Sequence, residues 1–150
     1  MATRGLPAWP HLGQDSEALP EAERLLLDAA RAWAAEGPAG PMAEAAIVLA
    51  ASGIEGAALM LDPLLRVLPT LHLAGPLCPQ ITESESALLL AISAAQQGSR
   101  SLALGLLHRL APPLTAYRAM PLLMGLACAL KRGGHVLAAA FEPSRLPRGL

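Results

Sequence analysis

The chain has 150 residues, of which 53% are apolar, 15% charged and 3% aromatic, and its net charge is −1. That length holds one domain with a full core, and the scarcity of aromatic and β-branched residues beside abundant Ala and Leu excludes a β-rich fold. The expected class is all-α, with six or seven helices arranged as stacked αα-hairpins or as a compact helical bundle.

The apolar stretches 45–54, 86–99 and 119–130 are shorter than the roughly 18 to 20 residues that a bilayer core requires. No apolar run follows Arg4 near the N-terminus, so neither membrane insertion nor a secretory signal is expected, and cytoplasmic residence is the default. The charge is uneven: residues 1–62 hold nine acids against three bases, and residues 63–150 hold three acids against eight bases. Such a split can orient a partner or a second copy of the chain. The bases are dispersed and not interleaved with aromatics, so a nucleic-acid partner is not expected.

In chain order, residues 1–19 carry Gly5, Pro7, Pro10 and Gly13 with little periodicity and read as a poorly ordered tail. Pro20 suits a first helical turn, Glu21 and Glu23 complement the positive helix end, and Leu26, Ala29, Ala30 and Trp33 recur at helical spacing, which predicts a helix over 20–36. Pro41 opens a second helix through Glu44, Ile47, Val48 and Ala51, ended by Ser52-Gly53. A third is expected over 54–68, where Asp62-Pro63 demands a kink or a restart capped by Asp62. Pro69, Gly75, Pro76 and Pro79 make 69–80 a loop, a connector by first reading and a binding loop by the alternative.

Thr82-Glu83-Ser84-Glu85 fits a capping box, in which the Thr82 hydroxyl and the Glu85 carboxylate each satisfy an otherwise unpaired backbone N–H. Leu88, Ile92 and Ala95 run down one face of that helix to Gln97, and Gly98 breaks it. The next helix is expected over 99–111, closed by Pro112-Pro113, and another over 115–132, stopped by Gly133-Gly134. A short last helix over 135–141 completes a domain spanning 20–141, and 142–150, with Pro143, Pro147 and Gly149, read as a second poorly ordered tail.

A spacing recurs along the chain. Ala46, Gly53 and Ala58 are matched by Ala91, Gly98 and Ala103 and again by Ala127, Gly134 and Ala139, so each set places a small residue seven before a Gly and an Ala five after it. The first small residue permits close helix approach, the Gly a tight turn, and the second Ala a helix crossing. Over roughly 39–146 this resembles a degenerate tetratricopeptide repeat, although Leu65, Leu110 and Leu146 stand where that family usually has a small residue. The Gly spacings, 45 then 36, also depart from the family's period of about 34 residues. By size, the chain is similar to the small tetratricopeptide chaperones of bacterial type III secretion. The resemblance implies a non-enzymatic adaptor or chaperone-like module that binds a peptide or partner helix in an apolar groove on the first helix of each pair. In that register the groove is lined by Ile47, Ala51, Leu88, Ile92, Gln96, Met124, Cys128 and Lys131.

No nucleophile elbow, phosphate loop, dinucleotide fingerprint or zinc-protease motif is present, so an enzyme is not expected and no catalytic residue, metal ligand or cofactor is assigned. Cys78 lies in the Pro-rich loop and Cys128 among Leu126, Ala127, Ala129 and Leu130, where a buried inert thiol is expected. A small enzyme or ligand-binding bundle would require at least two of His72, His108, Arg109 and Arg118 to converge. The remaining alternative is a homo-oligomeric structural subunit, because an Ala- and Leu-rich chain with few charges can expose an apolar patch that only self-association covers.

Overall fold

The computed structural model describes residues 15–68 and 70–138. Six helices follow one another: α1 (Glu21–Ala34), α2 (Pro41–Ala50), α3 (Ala58–Arg66), α4 (Glu83–Gln96), α5 (Arg100–Leu110) and α6 (Pro113–Arg132). Together they form an all-α compact bundle, and no strand occurs among the described residues.

The helix starts follow the local chemistry. Thr82 accepts the Glu85 N–H at 3.1 Å while Glu85 Oε1 accepts the Thr82 N–H at 2.8 Å, so the capping box is complete. Pro41 and Pro113 each occupy a first helical position, where the missing N–H has no intrahelical partner to lose. Pro113 therefore opens α6 instead of closing α5, which places that start two residues ahead of the expected 115.

Three helix ends close in the same way. Gly53, Gly98 and Gly134 all have positive φ, and the next residue donates its N–H five residues back: Ile54 to Leu49 at 3.2 Å, Ser99 to Ala94 at 2.9 Å, His135 to Leu130 at 2.8 Å. This is the left-handed helix stop that glycine reaches without steric penalty, and it explains the recurrent Gly in the sequence.

Other expectations are corrected. Residues 55–57 form a short 3-10 turn before α3, and α3 runs through Pro63 without restarting. Asp62 is not a cap; its carboxylate accepts the Trp33 indole N–H at 2.8 Å and Arg66 Nε at 3.0 Å. Residues 135–138 are not helical, and the rest of the expected last helix, like 142–150 and most of the expected N-terminal tail, lies outside the described residues. The described end of that tail is structured: Ser16–Ala18 form a 3-10 turn, Asp15 bridges Gln80, and Leu19 is buried.

The packing centres on α4. Every residue from Glu85 to Gln96 is buried, because α1, α5 and α6 all pack against this helix. An all-round apolar helix is the sequence signature of such a position. The long helix α6 also covers α3, with Gly125 against Met60, and just past its end Gly133 faces Ile54, ahead of α3. By length and composition α6 could cross a membrane, yet Ala116, Ala119, Met120, Leu123, Leu126, Ala127 and Leu130 place one face of it in the core.

Candidate functional site

The eight residues that sequence register assigns to a groove do not lie on one surface. Leu88, Ile92 and Gln96 are interior, because α4 is enclosed on all sides and has no face left for a partner. Gln96 instead uses its amide internally: it donates to the Ala127 carbonyl at 3.2 Å and the His135 carbonyl at 2.9 Å, and accepts the Leu137 N–H at 2.8 Å. Ile47 and Ala51 are exposed on α2. Met124 is half-buried, and Cys128 and Lys131 are exposed on α6, which corrects the expectation of a buried Cys128.

Those last three belong to a longer pattern. Leu114, Tyr117, Pro121, Met124, Cys128 and Lys131 follow one another at alternating steps of three and four, which puts them in one line along α6. The line points away from the core: Leu114 and Tyr117 are 66% and 62% exposed, and only Met124 is partly covered. Beside it, Arg100, Ser101 and Leu104 of α5 face Tyr117, Met120 and Pro121 of α6 across a cleft of about 340 Å³. The Tyr117 ring also stands edge-on to His108 of α5 at 6.2 Å.

The charge around this face has one sign. Residues 86–138 contain Arg100, Arg109, Arg118, Lys131 and Arg132 and no Asp or Glu. The five bases are all exposed. α5 and α6 therefore combine an outward apolar line with bases and no acid of their own, a balance that attracts acidic groups over a Debye length of about 8 to 10 Å.

Between α1 and α4 the polar chemistry is turned inward. Arg31 of α1 is 1% exposed and Glu85 of α4 is fully buried; Arg31 Nε and Nη2 meet the two carboxylate oxygens at 2.8 and 2.9 Å. The same guanidinium donates to the carbonyls of Cys78 and Gln80, both at 2.7 Å, and Glu85 Oε2 also accepts the Ala74 N–H at 2.8 Å. Burial pushes the Glu85 carboxyl up, but the Arg31 guanidinium and the Thr82 and Ala74 N–H groups outweigh it and hold the carboxyl below its ordinary value. This cluster fixes the segment between α3 and α4. At its tip Leu77 is 96% exposed, beside Asp15, Glu17, Arg24 and Asp28. Burial raises the Asp28 carboxyl above its ordinary value, against the pull of Arg24 and Arg31.

The residues considered for chemistry are dispersed. Arg109 lines a separate cleft of about 330 Å³ with Glu83, Ser84, Ala87 and Leu110, whereas His108 stands at Tyr117 and the exposed His72 adjoins the start of α4, where its carbonyl accepts the Thr82 hydroxyl. Among the described residues no group of three or more His, Cys, Asp and Glu is arranged to hold a metal ion.

Sequence reasoning put Met124, Cys128 and Lys131 in its groove and left Tyr117 as either a surface anchor or helix-start packing, but did not single out Leu114, Pro121 or Arg100, which stand on or beside the same line. The signal was available in the three-four spacing and in the absence of acids after Glu85. Leu77 carried a fainter one, as an apolar residue set between prolines in a loop. Compared with known protein families, characterised proteins and solved structures, the chain matches none.

Proposed function

We propose that this chain is a non-enzymatic protein-interaction module, adaptor or chaperone-like in kind, whose docking face is the outward side of α5 and α6. The observation that carries this reading is the apolar line from Leu114 to Lys131, set in a stretch with five bases and no acid. A line at three-four spacing is what a helix offers to another helix or an extended segment, and the bases select one that carries carboxylates beside its apolar residues.

Two synthetic amphipathic peptides with the same leucine spacing, one flanked by Glu and one by Lys, test this by fluorescence anisotropy. The Glu peptide is expected to bind, more weakly as salt rises, and to lose binding in Leu114→Asp/Tyr117→Asp. Equal binding of both peptides, or of neither, overturns the reading.

A further inference from the structure

The α5–α6 cleft and the Leu77 loop are complementary in charge, and each presents apolar surface to solvent. The loop is held rigid from three directions: the Cys78 N–H closes a turn on the Gly75 carbonyl at 3.0 Å, Arg31 holds the Cys78 and Gln80 carbonyls, and the Ser16 N–H donates to the Pro79 carbonyl at 2.7 Å. A rigid support lowers the entropy lost on docking, so the apolar knob it presents is preorganised for a pocket. Pro76 and Pro79 add to this stiffness. Three exposed carboxylates, Asp15, Glu17 and Asp28, stand around the knob against one base, Arg24.

The cleft has the opposite character. Leu104, Met120 and Pro121 give it an apolar lining, Tyr117 and Arg100 stand at its edge, and its own two helices contribute no acid. Its volume of about 340 Å³ is ample for one leucine side chain. In one chain the two surfaces are separate: the loop leads into the first turn of α4, whereas Arg100 opens α5 just after that helix of 14 residues, about 21 Å along its axis, and the surroundings of Leu77 share no residue with the cleft lining.

We propose that the occupant of the α5–α6 cleft is Leu77 of a second copy of this chain, with the acidic collar of that copy against Arg100. The proposal rests on the reading of α5–α6 as a docking face and names what docks there. Because knob and cleft are different surfaces of one chain, the contact is head-to-tail and propagates unless a ring closes. One side chain in a cleft of this size makes a small interface, so association is weak, favoured by high protein concentration and reduced by salt.

The test is sedimentation velocity on three proteins at low and high salt: the native chain, a knob variant Leu77→Asp, and a cleft variant Arg100→Glu/Tyr117→Asp, each checked for native helicity by circular dichroism. At low salt the native chain is expected to rise above its monomer mass of 15.5 kDa with concentration, and each variant alone to stay monomeric. Mixed in equal amounts, the variants retain one intact knob and one intact cleft and are expected to form a dimer and nothing larger. A monomeric native chain, self-association of Leu77→Asp alone, or no dimer in the mixture overturns the proposal. If the native chain is monomeric and still binds the Glu-flanked peptide, the second copy is excluded while the docking face stands. Failure of both assays removes both.

Discussion

Arg31 and Glu85, 54 positions apart in sequence, meet side by side through two hydrogen bonds with both side chains out of contact with water. Removing one member of a buried pair leaves the other charged, desolvated and unpaired, which is destabilising by about 3 to 5 kcal/mol. Arg31→Met and Glu85→Gln are each expected to lower the free energy of urea unfolding on that scale. Replacing both residues together is expected to cost less than the two single changes added, which a double-mutant cycle reads directly.

The same pair gives stability a pH dependence. Glu85 titrates below its ordinary value when folded and near about 4.3 when unfolded, so its contribution is fully present above the unfolded value and is lost as pH falls through the folded one. Between pH 5 and pH 3 the unfolding free energy of Glu85→Gln is expected to fall less steeply than that of the native chain. Parallel slopes in acid-urea titrations would show that Glu85 is not the group responsible.

Two backbone positions have opposite expectations. Gly98 stands at φ +83 with open space where a Cβ would go, so Gly98→Ala is expected to destabilise by about 1 to 2 kcal/mol through backbone strain alone. Glu36 occupies the same left-handed region at φ 57, and Glu36→Gly is expected to raise the melting temperature by removing that strain. Thermal unfolding followed at 222 nm compares the two.

Gln96 ties α4 to α6 through one hydrogen bond and to the segment after α6 through two. Gln96→Leu keeps the bulk but leaves the Leu137 N–H and two carbonyls without that partner, and a loss of about 1 to 3 kcal/mol is expected. Hydrogen exchange is expected to speed up at Leu137 more than in the middle of α5. Uniform exchange across both regions would contradict the tethering role.

Much of the helix layout was legible in the sequence, because it depends on local rules. The capping box at Thr82, the proline at the head of α2 and the glycine stops each act within a few residues, and each is found where the sequence puts it. What was not legible was tertiary. Leu88 and Ile92 look like one face of an amphipathic helix, but the positions between them are apolar as well, and the structure uses all of them. Arg31 looks like a surface base until Glu85 is brought to it by the fold, and no spacing rule links residues so far apart. Tyr117 and Cys128 fall outward because the α6 core face is set by α3, α4 and α5 together.

The Arg31–Glu85 pair also sets an order of events in synthesis. A chain made from its N-terminus exposes α1, α2 and α3 before α4 exists, and in that interval Arg31 lacks the carboxylate it is hydrogen-bonded to in the fold. The first three helices therefore cannot finish their own core when they emerge. All the groups that Arg31 binds in the fold, the Cys78 and Gln80 carbonyls and the Glu85 carboxylate, are made after those helices, so the arrival of α4 supplies the carboxylate and the central helix together.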